Sequence, residues 1–206
     1  MNNFAEFPVI PVLVIEDASW AKDLGECLVA SGLPIVEVTL RTPQSWEALA
    51  AMRSVRGMTV GVGSVTKVSD VAHSKELGVD FAVSAGFRSD LVAAANENSI
   101  PYLPGVATPS EILAAMASGL SAAKWFPAET LGGVSALRAI SAPFPAMKFT
   151  PTGGINAENA PTYLAEKNVQ SVGGSWMFPK DAMAKRDLES ISKYARIAGA
   201  ITKESK

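Results

Sequence analysis

Three charged side chains stand at positions where a strand would turn them inward: Glu37 and Arg41 in Ile35-Val36-Glu37-Val38-Thr39-Leu40-Arg41, and Lys124 in Ala122-Ala123-Lys124-Trp125-Phe126. Side chains along a strand alternate between its faces, so Glu37, Thr39 and Arg41 oppose Val36, Val38 and Leu40, and Lys124 opposes Ala123 and Trp125. With the apolar face turned to covering helices, the acid, the guanidinium and the amine meet inside. An amine must be neutral to attack a ketone, and at a reference pKa near 10.4 only roughly one lysine in a thousand is neutral near pH 7.5. Burial and a nearby guanidinium both disfavour the ammonium, which activates the amine as a nucleophile. Arg41 also offers a planar fork for a substrate carboxylate. Glu37 can then carry protons through carbinolamine dehydration, imine hydrolysis and carbon-carbon cleavage. The chemistry such a set supports is class I aldol cleavage of an α-keto acid through a Schiff base.

A plainer reading stands beside this one. Glu37 and Arg41 on one face of the strand can satisfy each other as a structural ion pair, and a strand lysine can run its stem along apolar surface to water. Three charges converging on one wall favour chemistry over either.

The elements that must position these residues alternate along the chain. Candidate strands cover Val9 to Ile15, Ile35 to Arg41, Thr59 to Ser64, Phe81 to Ser84, Pro101 to Pro104, Ala122 to Phe126, Met147 to Thr152 and Val169 to Gly173. Candidate helices cover Ser19 to Ser31, Pro43 to Arg53, Val68 to Leu77, Ser89 to Asn96, Pro109 to Ala117, Val134 to Ser141, Ala157 to Ala165 and Lys180 to Ile201. Thr42-Pro43 and Thr108-Pro109 read as N-caps with proline at the first helical position, and Glu111 completes a capping box with Thr108. Gly32, Gly78 and Gly119 sit where helices should stop. Eight βα units suit either a doubly wound sheet or a barrel, but the turn after the first strand, Ile15-Glu16-Asp17-Ala18, lacks the glycines of a dinucleotide fold. Glycine pairs fall instead at Gly153-Gly154 and Gly173-Gly174, after the seventh and eighth strands, where barrels bind phosphate. There they would let backbone N–H groups approach an anion, although simple tight turns would also use them. The expected architecture is α/β, a single-domain (β/α)8 TIM barrel spanning residues 1–206.

Composition narrows the function. Of the 206 residues 48% are hydrophobic and 18% charged, a balance for strands buried on both faces, and the net charge of -2 with no basic run argues against nucleic acid. No apolar stretch approaches the roughly 20 residues of a membrane span. The single cysteine, Cys27, cannot form an internal disulfide, and with no basic, hydrophobic leader the cytoplasm is the expected compartment. His73 stands apart from any ligand cluster, reads as a surface helix residue, and leaves no metal or other cofactor implied.

Five segments in order, Pro8-Val9-Ile10-Pro11-Val12, Val36 to Arg41, Lys124-Trp125-Phe126-Pro127-Ala128-Glu129, Pro151-Thr152-Gly153-Gly154-Ile155 and Gly173-Gly174-Ser175-Trp176, span nearly the whole chain. In these the sequence resembles the 2-keto-3-deoxy-6-phosphogluconate (KDPG) aldolases, which also cleave 2-keto-4-hydroxyglutarate (KHG). The resemblance implies reversible cleavage of KDPG to pyruvate and glyceraldehyde 3-phosphate in the Entner-Doudoroff pathway, by a homotrimer. It implies Lys124 as the Schiff-base lysine, Glu37 as acid and base, Arg41 with the Ser64 hydroxyl as the pyruvate carboxylate site, and Phe126 beside the lysine. It assigns Thr152, Gly153, Gly154 and Ser175 to the sugar hydroxyls and phosphate.

The chain departs from the family's pattern at Ser64, usually Thr, at Ala85, often Pro, and at Trp125, usually Phe. Glu16-Asp17 also stands where many relatives carry basic residues near the phosphate. Rival readings are an aldolase for the galactonate-derived epimer or an unphosphorylated keto acid, and a catalytically silent phosphate-binding barrel. A metal-dependent epimerase on the same architecture would need histidines that this chain lacks.

Overall fold

The computed structural model describes residues 6–203. Strands β1 (Val9–Leu13), β2 (Ile35–Thr39), β3 (Thr59–Gly63), β4 (Phe81–Val83), β5 (Tyr102–Leu103) and β9 (Val172–Gly174) form a parallel sheet in the order β5-β4-β3-β2-β1-β9. Strands β6 (Gly105–Val106), β7 (Ala122–Trp125) and β8 (Lys148–Pro151) form a second, in the order β6-β7-β8. Two junctions join these sheets. Only Pro104 separates β5 from β6; its nitrogen has no proton to give a ladder, while its carbonyl accepts from the Lys124 amide at 2.8 Å. On the other side, Phe149 bridges Val169 and Thr152 bridges Gly173, bringing β8 alongside β9. With β5 and β6 as halves of one strand, eight strand positions close into the expected TIM barrel.

Helices alternate with these strands: α1 (Ala21–Ala30), α2 (Ser45–Arg53), α3 (Val68–Leu77), α4 (Ser89–Glu97), α5 (Pro109–Ala117), α6 (Gly133–Ser141), α7 (Ala160–Leu164), α8 (Lys180–Lys185) and α9 (Leu188–Gly199). The β2 side chains Val36 and Val38 are fully buried together with Leu24, Leu28, Leu49 and Met52 of α1 and α2. Burial of each such side chain contributes roughly 1.5–3 kcal/mol, so the outward face of β2 fixes its register and leaves Glu37 to the interior. The Thr108, Pro109 and Glu111 start of α5 forms as expected, a reciprocal capping box with proline in the first turn. Gly32, Gly78 and Gly119 take left-handed φ values of 76°, 69° and 80° just after their helices.

Several boundaries move. Most strands end before the apolar or polar run does: β2 stops at Thr39, and the Arg41 amide turns back to the Thr39 carbonyl at 2.8 Å. The last strand starts at Val172, with Val169 joined only through its isolated bridge. Thr42-Pro43 does not start α2. The Thr42 hydroxyl donates instead to the Ile15 carbonyl at 2.6 Å, tying the turn to the end of β1, and the helix begins at Ser45. The long helix expected from Lys180 to Ile201 is two helices, broken at Arg186, whose φ of 53° is left-handed. Asp187 restarts the chain by accepting from the Ser190 amide at 3.0 Å, and Arg186 pairs with Asp17 across the barrel mouth.

Candidate active site

Lys124 and Glu37 face each other across the barrel interior. The Lys124 Nζ donates to both carboxylate oxygens of Glu37, at 3.0 and 3.3 Å, and the two residues are only 4% and 3% exposed. Their strands are not neighbours: Lys124 lies beside Gly105 and Thr150, and Glu37 beside Val12 and Gly61. The pair therefore spans the barrel instead of running along a sheet. Room for the acid comes from Gly63, where an added Cβ would lie 2.7 Å from the Cγ of Glu37 and overlap its carboxylate.

The plain reading of Glu37 and Arg41 as an ion pair does not hold, because the partner of Glu37 is Lys124. Arg41 lies beyond the strand end, exposed, with its Nε donating to the Ser64 Oγ at 3.0 Å. Its terminal nitrogens have no partner among the described residues. Ser64 has a φ of 59°, a left-handed conformation that costs a non-glycine residue roughly 1 kcal/mol and here turns its hydroxyl toward Arg41. The Phe126 ring lies with its centroid 5.6 Å from the Lys124 Nζ, within cation–π reach.

Above the lysine is a cavity of about 120 Å³ whose wall includes Arg41, Lys124, Phe126, Thr152, Gly153, Gly154 and Ser175. Of the nine residues singled out from the sequence these seven line it directly; Glu37 is in contact with Lys124, and Ser64 with Arg41. Gly174, of the second glycine pair, completes the wall with Val12 and Ile155, two apolar residues that carry no chemical signal in the sequence.

The glycine pairs divide in role. Gly153 and Gly154 have φ values of 101° and 78°, and an added Cβ on Gly154 would lie 2.6 Å from Cβ and Cγ of Glu129. Glu129 in turn donates its amide to the Gly153 carbonyl at 3.0 Å and accepts from the Tyr163 hydroxyl. That is a bare backbone turn clamped from behind, with its front on the cavity. Gly173 and Gly174, expected to bare the backbone in the same way, are strand residues: side chains there would run into the Thr152 side chain and the Trp176 ring. The second pair thus makes room for neighbours.

His73 is on α3, exposed, edge-on to Trp46 at 4.5 Å and 3.0 Å from Glu76. Among the described residues no group of three His, Cys, Asp or Glu side chains is placed to hold a metal ion. Nor is any helix there long and apolar enough to cross a membrane.

The chain as a whole has known relatives. The family model for KDPG and KHG aldolase matches residues 1–194. The chain belongs to the KDPG and KHG aldolase family. It is 43% identical over 192 residues to the KHG/KDPG aldolase of Escherichia coli strain K12, covering 93% of this chain and 90% of that one. The crystal structure of the Zymomonas mobilis ZM4 KDPG aldolase with 3-phosphoglycerate superimposes with a TM-score of 0.93 at 40% identity, covering 97% and 94% of the two chains. That of Legionella pneumophila KDPG aldolase, with pyruvate captured as a covalent carbinolamine, gives 0.90 at 39% identity and 95% of each chain. Like these relatives, the chain is an aldolase, a carbon-carbon lyase.

Proposed function

We propose that this aldolase reversibly cleaves KDPG to pyruvate and glyceraldehyde 3-phosphate, and also cleaves KHG. The observation that carries the reading is the buried Lys124–Glu37 contact at the floor of a cavity edged by Arg41 and by the Gly153–Gly154 turn.

The free terminal nitrogens of Arg41, with the Ser64 hydroxyl beside them, take the carboxylate of the keto acid and bring its carbonyl over Lys124. The amine gives its proton to Glu37 and adds to the carbonyl carbon; loss of water, with Glu37 returning the proton, leaves the iminium. Glu37 then accepts the proton of the C4 hydroxyl as the C3–C4 bond breaks, its electron pair passing into the iminium to give an enamine. The aldehyde departs, Glu37 protonates the enamine, and water releases pyruvate. Thr152, Ser175 and the Gly153–Gly154 amides hold the hydroxyls and phosphate of the aldehyde half. Family membership, with no helix among the described residues long and apolar enough to cross a membrane, supports a cytoplasmic protein; as the family resemblance implies, residues 1–206 act as one domain in a homotrimer.

The test is pyruvate release from KDPG, its galactonate-derived epimer and KHG, each supplied to the purified protein. KDPG is expected to be cleaved with the highest kcat/KM. Preference for the epimer, or no pyruvate from any of the three, would overturn the assignment.

A further inference from the structure

Beside the active-site cavity, at the same end of the barrel, is a larger one of about 670 Å³. It lies between the segment after β1 and the segment running from the end of β9 into α8, and it shares Val12 and Ser175 with the smaller cavity. Those two residues are where the reaction chamber ends and the second begins. The size falls in the range of roughly 300–1,000 Å³ typical of small-molecule sites.

Its chemistry differs from that of the cavity over Lys124. Trp20, Phe178, Met183 and Val14 supply much of its wall, with Trp20 and Phe178 only 6% and 9% exposed. The charged residues at its edge are two acids, Glu16 and Asp17, and two bases, Lys180 and Arg186. Asp17 and Arg186 pair with each other, which leaves one acid and one base without an ion-pair partner among the described residues. A phosphate gains no net attraction from such an edge, whereas an aromatic or branched alkyl group gains from leaving water for a wall that includes Trp20 and Phe178.

We infer that this chamber is an acceptor pocket for an unphosphorylated, apolar aldehyde half, so that the enzyme also cleaves 4-hydroxy-2-keto acids bearing an aryl or branched alkyl end. The inference rests on the aldolase reading and extends its substrate class. The keto-acid end binds at Arg41 and Lys124, the chain passes Ser175, and the apolar end enters the chamber. The reaction balances as for KDPG: the C3–C4 bond breaks, its electrons enter the iminium, the C4 hydroxyl proton goes to Glu37, and water regenerates the amine as pyruvate leaves with the free aldehyde.

The test compares three substrates by pyruvate release: 4-hydroxy-2-keto-6-phenylhexanoate, whose phenyl group extends past the reacting carbons, 4-hydroxy-2-ketopentanoate, which ends in a methyl, and KHG. Burial of the phenyl group is expected to give it at least about a ten-fold advantage in kcat/KM over the methyl compound. Ala184→Phe fills the chamber from an exposed position on α8, outside the catalytic machinery. It should erase that advantage while KHG turnover changes less than about two-fold, the KHG rate also showing that the variant folds. Equal cleavage of the phenyl and methyl compounds by the wild type would overturn the inference, as would a phenyl advantage that survives Ala184→Phe or a variant that slows all three alike. Failure of the wild type on KDPG and KHG as well would place the fault in the aldolase reading and end both.

Discussion

Gly63 and Glu37 occupy one space: the acid's side chain fills the volume that any larger residue at position 63 would need, with an added Cβ falling 2.7 Å from the Glu37 Cγ. The two are on adjacent strands, Gly63 in register with Thr39, two positions beyond Glu37. Gly63→Ala is therefore expected to push the carboxylate off Lys124. Because Glu37 is walled in, the displaced acid has no relaxed alternative, and overpacking of this kind costs about 1–3 kcal/mol. A melting curve and steady-state kinetics check it: Tm should fall and kcat should drop even at temperatures where the variant is folded.

Glu37 on the second strand and Arg41 just past its end should fail differently. Glu37→Gln keeps shape and removes the proposed proton carrier, so kcat should fall by roughly 10²- to 10⁴-fold with a smaller effect on KM. Arg41→Ala removes the proposed carboxylate anchor, so pyruvate binding should weaken as well as turnover. Normal turnover by the first variant, or wild-type pyruvate affinity in the second, would make these residues structural.

Tyr163 is fully buried, and its hydroxyl donates to Glu129, whose stem backs the Gly153–Gly154 turn. Burial first, and then the adjacent carboxylate, push the phenol well above the usual tyrosine range. Tyr163→Phe removes one hydrogen bond, worth about 1 kcal/mol, and frees Glu129 to move off the turn. The expected signature is a raised KM for KDPG with pyruvate trapping unchanged, read by kinetics and adduct mass in parallel.

Much of the site is legible in the sequence because burying a charge is costly, so a Glu and a Lys in apolar strands report a shared interior. Period-two alternation then gives their side of the sheet. That the acid's partner is Lys124 and not Arg41 depends on how strands wrap around the barrel, which spacing along one strand does not encode. Glu129 with Tyr163, and Gly63 with Glu37, are invisible for the same reason: each is a contact between distant segments made by unremarkable residue types. The break at Arg186 hides in Ala184-Lys185-Arg186-Asp187, where lysine, arginine and alanine all favour helix and only the long-range ion pair to Asp17 and the Asp187 cap mark the end of α8.

Asp187 also sets a pH dependence. The Ser190 hydroxyl at 2.6 Å and its amide at 3.0 Å both donate to the carboxylate, which holds it below its ordinary value. A depressed carboxyl stabilises the fold above its unfolded pKa, about 3.9, and that contribution is lost as pH falls through the lower folded value. Asp187→Asn keeps a capping oxygen and removes the charge. The Tm gap between wild type and variant should be full at neutral pH and close progressively below about pH 4; a gap unchanged down to the acid limit would contradict the assignment.

The central claim is that Lys124 forms an imine with pyruvate. Incubation with pyruvate and borohydride, followed by peptide mass mapping, tests it most directly. The expected result is one reduced pyruvyl adduct, on the peptide carrying Lys124, together with loss of activity in proportion to labelling, and neither adduct nor turnover in Lys124→Ala. An adduct on another lysine, or a Lys124→Ala variant that still cleaves KDPG at a sizeable fraction of the wild-type rate, would contradict the account.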